Sequence, residues 1–355
     1  MPLWEKNIRY TEPYTPGEQP KARDAIKLNT NENPYPPSPE VLKALKTVDG
    51  NDLRRYPDPL CASLVNALAK VKGVDPACVF TGVGSDDVLA MSFMTFFYGK
   101  DPVLFADITY SFYEVWAKLL RIPYRMVPLA EDFSLVPSDY DTECGGIVIA
   151  NPNAPTGILL KKDEIEHIIR KHPECIVIVD EAYIDFGGES VLPLINKYDN
   201  LLVVQTLSKS YSMAGMRIGA AFGCPELIRL LNSNKYAYNS YTLNVPALKA
   251  GTAAVLDQAY FEETRAKIIA TRERVKPLMR DLGFSFNDSM TNFLFVRHES
   301  VSAKKIFERL RAEDIFVRYW DLPRIGNYLR ITIGTDEEMD TLIRFLGVWL
   351  KEKQD

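Results

Sequence analysis

The segment Thr206-Leu-Ser-Lys209-Ser-Tyr-Ser-Met-Ala-Gly-Met-Arg217-Ile-Gly sets one lysine in a small, hydroxyl-rich loop with an arginine eight residues further on. A lysine amine condenses with a carbonyl to a Schiff base, and Thr206, Ser208 and Arg217 are residue types that together hold a phosphate. An aldehyde cofactor with a phosphate tail needs both, and pyridoxal 5'-phosphate is such a cofactor. The competing reading is a surface loop with a solvated lysine, the ordinary fate of that residue.

Upstream, Cys175-Ile-Val-Ile-Val-Asp180-Glu-Ala-Tyr183 is an apolar, β-branched run ending in an acid. It predicts a buried parallel strand with Asp180 at its C-terminal end, the edge at which open α/β sheets bind ligands. A carboxylate there favours the protonated form of a pyridine ring, which then accepts the electron pair left on a substrate carbon. Tyr183 is close enough in the chain to hydrogen-bond the ring's phenolic oxygen. The plainer reading of the acid is a turn after a strand.

Two more segments have the same strand-then-turn form. Gly145-Gly-Ile-Val-Ile-Ala-Asn151-Pro-Asn153-Ala154-Pro155-Thr156-Gly157 breaks into a proline-glycine turn that puts amide side chains at the ligand edge. Val79-Phe-Thr81-Gly82-Val-Gly84-Ser85-Asp86-Asp87 is a short strand, a glycine turn and the start of an apolar helix, where backbone N–H groups favour a phosphate. A dinucleotide fingerprint is the rival, but Asp87 stands where its third glycine belongs.

In the order and spacing of these segments the chain resembles the fold-type I pyridoxal-phosphate-dependent aminotransferases, and within them the histidinol-phosphate aminotransferase family. The likeness runs from Leu28-Asn-Thr-Asn31-Glu32-Asn33-Pro34-Tyr35 to Leu329-Arg330-Ile-Thr-Ile-Gly-Thr. It implies pyridoxal 5'-phosphate as cofactor and the exchange of an amine between L-histidinol phosphate and 2-oxoglutarate, giving imidazole-acetol phosphate and glutamate in histidine biosynthesis. By the same resemblance Lys209 forms the Schiff base and shuttles a proton, Asp180 pairs with the ring nitrogen, Tyr183 meets the phenolic oxygen and Tyr110 stacks on the ring. The phosphate falls to Arg217, Ser208, Thr206, the backbone at Ser85 and Asp86, and Tyr56. That tyrosine, in Arg55-Tyr56-Pro57, is expected to reach across from a second subunit of a homodimer.

For substrate, the resemblance gives Arg330 a carboxylate, gives Arg318 the phosphate end of histidinol phosphate, and has Tyr35 close over that phosphate. Guanidinium groups suit both anions through bidentate bonds. Arg330 lies between Leu329 and Ile331, so strand alternation puts it on the face opposite to both. One position departs from the family pattern: Ala154 stands where an asparagine usually meets the phenolic oxygen, and alanine has no donor. The expectation is that a neighbouring amide, Asn153 or else Asn151, takes over.

Other functions share this scaffold. An aromatic amino-acid aminotransferase and a threonine-phosphate decarboxylase are the enzyme alternatives, and a non-catalytic binding protein of the same fold is the alternative of another class. The last would be expected to lose Lys209 or Asp180.

The whole chain bounds these readings. Its 355 residues can build a sizeable core, and a net charge of −5 offers no basic excess for nucleic acid. The five cysteines show no metal spacing and fit a reducing compartment, while His167, His172 and His298 form no ligand cluster, the first two being expected on or beside a solvated helix. There is no secretory signal pattern and no apolar run long enough to span a bilayer, so a cytoplasmic location is expected by elimination.

Strands near Val103, Ile147, Ile176 and Val203 alternate with helical periods at 112–120, 162–171 and 225–232, which predicts a mostly parallel sheet with helices on both faces. One long helix is expected over about 245–282, its charges, including Arg272 and Glu273, forming a solvated face. The expected fold is α/β with two lobes: residues 1–46 as an arm and part of the small lobe, 47–248 as the large cofactor-binding domain, and 249–355 as the small C-terminal domain.

Overall fold

The computed structural model describes residues 2–20 and 24–351, and two sheets organise them. In chain order the strands are β1 (Ile26–Leu28), β2 (Val79–Gly82), β3 (Val103–Ala106), β4 (Tyr124–Val127), β5 (Gly146–Ala150) and β6 (Val177–Asp180). They continue as β7 (Leu201–Thr206), β8 (Gly219–Gly223), β9 (Phe284–Ser285), β10 (Phe293–His298), β11 (Ile315–Tyr319) and β12 (Leu329–Thr332). The larger sheet has the order β2-β8-β7-β6-β5-β3-β4 and the smaller one β1-β11-β12-β10-β9. The fold is α/β, a large and mostly parallel sheet beside a small mixed one.

In the larger sheet only β8 is reversed, running antiparallel to both β2 and β7. The apolar runs of β5, β6 and β7 are buried on both faces, as a sheet covered by helices requires. Ile147, Ile149, Val177, Val179, Leu201 and Val203 join one apolar layer, and Val148, Ile178, Leu202 and Val204 join the other. The helix Lys162–Lys171 covers the first layer with Ile165, Ile168 and Ile169. On the second face Gly84–Phe96 lays down Val88, Leu89 and Phe93.

Register decides where the functional residues meet. Ala150, Asp180 and Val204 stand side by side on β5, β6 and β7, and Gly219 at the start of β8 pairs with both Thr206 and Gly82. The chain leaving β2, β5, β6 and β7, and the chain entering β8, therefore share one edge. Gly219 has to be glycine: a Cβ there would lie 2.4 Å from the Ser85 nitrogen, so a side chain would push away the start of the Gly84–Phe96 helix.

The small lobe buries Leu294, Val296, Val317, Leu329 and Ile331 against the helices Ala303–Ala312 and Asp336–Lys351. Strand β1 pairs parallel with β11, which ties the amino-terminal segment into a sheet otherwise built from the last third of the chain. Between the lobes, Ala106, Ile108, Leu129 and Phe133 pack with Phe295 and Ile325.

Several expectations need correction. The single helix over 245–282 is two, Val245–Leu256 and Gln258–Asp281, separated at Asp257, whose side chain accepts from the Tyr260 N–H and from the Ser38 hydroxyl. Arg272 is not on a solvated face. It is buried and donates to the Phe186 and Thr291 carbonyls at 2.8 Å each, because the helix packs against both the turn Ile184–Phe186 and the segment entering β10. His172 is likewise buried, with Nδ1 2.8 Å from the Ile168 carbonyl. Strands β4 and β8 carry no clear signal in the sequence: the first is half exposed and polar, the second is mostly glycine and alanine, and neither composition favours a strand in isolation.

Candidate active site

The helix Gly84–Phe96 begins at the shared edge behind Val83, a residue with no side-chain acceptor for its first-turn N–H groups. Such an uncapped start presents donors and the positive end of the helix dipole to an anion. Arg217 lies against it, close enough that a Cβ on Gly84 would sit 2.5 Å from its Nη2, and ion-pairs with Asp86 at 3.1 Å. Ser208 Oγ is 3.0 Å from Thr206 Oγ1 and 3.5 Å from Arg217 Nη1. Two hydroxyls, a guanidinium and a helix start thus converge on one phosphate-sized place.

Asp180 marks the other end. Its carboxylate is buried, taking a 2.7 Å bond from the Tyr113 hydroxyl and a 3.1 Å bond from the Ala182 N–H. Loss of solvent pushes its pKa up to about 6 in spite of these donors. A buried anion in that condition is stabilised by a cation placed beside it, such as a protonated ring nitrogen.

Between the ends, Lys209 Nζ lies 3.3 Å from the Thr30 carbonyl and 5.7 Å from the centre of the Tyr183 ring. Tyr183 accepts a 2.8 Å bond from Asn31 Nδ2, which leaves its own hydroxyl hydrogen free to be donated. Tyr110 donates to Asp86 at 2.7 Å, and burial together with that carboxylate raises its pKa far above the ordinary tyrosine value. It is a neutral donor at any working pH.

These groups line a cavity of about 370 Å³. A second, of about 540 Å³, shares Thr30, Tyr110, Ala154, Tyr183 and Lys209 with it and extends to Arg318, Trp320 and Arg330. The two arginines are direct cross-strand partners on β11 and β12. Arg330 donates to the Asn29 carbonyl at 3.1 Å, and its buried Nε has no acceptor. The arrangement offers a carbonyl-reactive amine between a phosphate cradle and a buried acid, with a doubly cationic pocket adjoining.

Of the residues singled out from sequence, Ser85, Asp86, Tyr110, Asp180, Tyr183, Thr206, Ser208, Lys209 and Arg217 come together in the first cavity, and Arg318 and Arg330 in the second. Asn153 does not. Its amide nitrogen donates to the Ile108 carbonyl at 2.9 Å and to Thr156 at 3.0 Å, its oxygen accepts from Thr109, and it lines a separate cavity of about 110 Å³. Asn151 is equally committed, to the backbone of Leu160, so neither amide replaces the side chain that Ala154 lacks. Tyr35 lines neither cavity; it packs on the small-lobe core with Lys267 5.5 Å from its ring centre. Tyr56 is 81% exposed and stacks on Tyr241, away from this chain's own cavities.

Among the residues at the site that the sequence does not single out are Asn31, Tyr113 and Trp320. Tyr113 carries a signal, since it lies three residues after Tyr110, in the first turn of the helix Phe112–Leu120 that follows it. The amide-rich run Asn29-Thr-Asn31-Glu-Asn33 is another.

The family model for aminotransferase class I and II matches residues 23–346. A histidinol-phosphate aminotransferase of Lactococcus lactis subsp. cremoris (strain SK11) is 50% identical over 351 residues, 99% of each chain. One from Clostridium acetobutylicum is 52% identical over 340 residues, 95% of this chain and 96% of the other. Among solved structures, the histidinol-phosphate aminotransferase of Sinorhizobium meliloti in complex with pyridoxal-5'-phosphate superposes with a TM-score of 0.83 at 26% identity, covering 92% of this chain and 91% of that one.

Proposed function

The chain belongs to the class I and II aminotransferases, and from that premise we propose that it moves the amino group of L-histidinol phosphate to 2-oxoglutarate, yielding imidazole-acetol phosphate and glutamate, a step of histidine biosynthesis. Pyridoxal 5'-phosphate is the cofactor, and the donor set fits it. The cradle that a Cβ on Gly84 or Gly219 would fill suits the phosphate, and Asp180 suits the pyridine nitrogen. When bound, the cofactor supplies an aldehyde carbon and an electron-accepting ring.

The residues then divide the work. Arg217, Ser208, Thr206 and the helix start at Ser85 and Asp86 hold the phosphate, while Tyr110 packs against the ring. Asp180 would lie beside the ring nitrogen, where a carboxylate favours the protonated ring. Tyr183, held by Asn31, donates to the phenolic oxygen. Lys209 Nζ would be the base that takes the proton from the substrate's α-carbon and the acid that delivers it to the cofactor's aldehyde-derived carbon. Arg330 grips the carboxylate of glutamate or 2-oxoglutarate and Arg318 the phosphate of histidinol phosphate.

The observation that carries the substrate is the cross-strand pair Arg318 and Arg330 next to the Lys209 cavity, since two adjoining guanidinium groups call for a doubly anionic partner. The test compares histidinol phosphate, phenylalanine and threonine phosphate side by side, with the cofactor's absorbance recorded throughout. Faster keto-product formation from phenylalanine would make it an aromatic aminotransferase, and carbon dioxide released from threonine phosphate a decarboxylase.

We also infer a homodimer in the cytoplasm, with Tyr56 of each subunit completing the phosphate site of the other. Exposed Leu53, Tyr56, Leu60, Tyr238 and Tyr241 support an interface, being too apolar a group for open solvent. The division proposed for the chain remains 1–46, 47–248 and 249–355.

A further inference from the structure

Arg318 and Arg330 face each other across β11 and β12, a placement in which like charges repel. Among the described residues neither has a carboxylate partner: Arg318 donates to the Thr15 carbonyl at 2.9 Å and Arg330 to the Asn29 carbonyl. Burial, and then the neighbouring Arg318, hold the Arg330 pKa below its ordinary value. Something other than an acid has to keep the two cations in place.

Trp320 is placed to do so. It lies just beyond β11, two residues after Arg318, and its ring centre lies 5.2 Å from the guanidinium carbon of each arginine. Phe293 lies 5.3 Å from Arg330 as well, but no corresponding contact joins it to Arg318 among the described residues. Trp320 also packs into the apolar seam between the lobes, which fixes the ring.

We propose that Trp320 is a positioning residue whose indole holds the two guanidinium groups together with their N–H edges open, so that the pocket favours ligands carrying two negative charges over those carrying one. An acid in its place would neutralise the arginines but occupy the donors that a substrate has to use. An aromatic ring attracts each cation through its quadrupole and leaves those donors free. The proposal rests on the reading of Arg318 and Arg330 as substrate-binding, and it adds how their selectivity is set.

The test uses the cofactor-loaded protein and two unreactive probes of similar size, glutarate with two carboxylates and valerate with one, measured by calorimetry in wild type, Trp320→Leu and Trp320→Phe. Leucine keeps the apolar contacts and removes the π face, and phenylalanine restores part of it. Losing both cation–π contacts should weaken glutarate binding roughly tenfold and valerate binding less than about threefold, with phenylalanine between wild type and leucine. In turnover with 2-oxoglutarate the loss should fall on KM more than on kcat. Equal losses for both probes, unaltered glutarate binding, or phenylalanine as poor as leucine would each overturn the proposal. A wild-type protein inactive on histidinol phosphate would defeat the functional reading alone, because the glutarate-to-valerate ratio still decides the role of Trp320.

Discussion

The Tyr113 hydroxyl donates to Asp180 Oδ2 over 2.7 Å; both residues are buried, the tyrosine ring among Phe93, Phe105 and Trp116 and the carboxylate at the floor of the first cavity. A buried acid is thereby kept nearer its anionic form at the pH where the ring-nitrogen proton has to be held. Tyr113→Phe removes one bond to a charged acceptor, a loss of about 1.5–3 kcal/mol that falls on the anion. In the cofactor-free protein the Asp180 pKa should rise above about 6, and in the loaded enzyme the same loss should weaken the carboxylate's hold on the ring nitrogen and lower kcat by up to roughly tenfold. Titration of the two cofactor-free proteins checks the first effect and kcat at pH 7 the second.

Asp180 should also leave a mark on stability. Its folded-state pKa, about 6, is raised above the ordinary 3.8, so the folded protein binds this proton more tightly than the unfolded chain does. Stability from this group is then present below the unfolded value and is lost as pH climbs through about 6. In cofactor-free protein, Asp180→Asn should raise the urea midpoint at pH 7.5 and flatten its fall between pH 5 and 7.5, while abolishing activity. Some slope should remain, since burial also pushes Glu181 up, to about 7.

Asn31 holds Tyr183 through its amide, accepts from Thr332 at 3.0 Å, and has a φ of 56°. Glycine tolerates that backbone, so Asn31→Gly removes the amide without the strain an alanine would add. The expected result is a several-fold lower kcat, about 1 kcal/mol for the lost bond, and a shifted cofactor spectrum as the Tyr183 hydroxyl loses its anchor. Steady-state kinetics and absorbance titration read these two effects.

The dimer can be tested by complementation. Lys209→Ala and Tyr56→Ala homodimers should each be impaired, yet a mixed dimer contains one site with both native residues. Co-refolding equal amounts should restore up to about a quarter of wild-type activity, as two-fold symmetry dictates. Activity no greater than the mean of the two variants would refute a shared site.

Much of this protein is legible along the chain because its strands are short apolar runs ending in chemically distinct residues. Cys175 to Asp180 announces a buried strand with an acid at its end, and the Lys209 loop announces a reactive amine beside phosphate donors. A residue just past the end of a parallel strand stays at that edge of the sheet, so local sequence alone brings Asp180, Lys209 and the Gly84 turn together. The glycine-rich β8 and the polar β4 are not legible, since pairing in the sheet and not propensity makes them strands.

The sequence by itself determined the fold class, the family and which residues are proposed to hold a phosphate and a ring, for these depend on short motifs and their order. Tertiary structure alone decided that Tyr113 supports Asp180, that Asn31 supports Tyr183, and that Trp320 meets two arginines. It also took Asn153 out of the pocket by committing its amide to Ile108 and Thr156. Each of these is a contact between segments distant in sequence or a competition among donors for one acceptor, and only the packed chain settles which partner lies within hydrogen-bond reach.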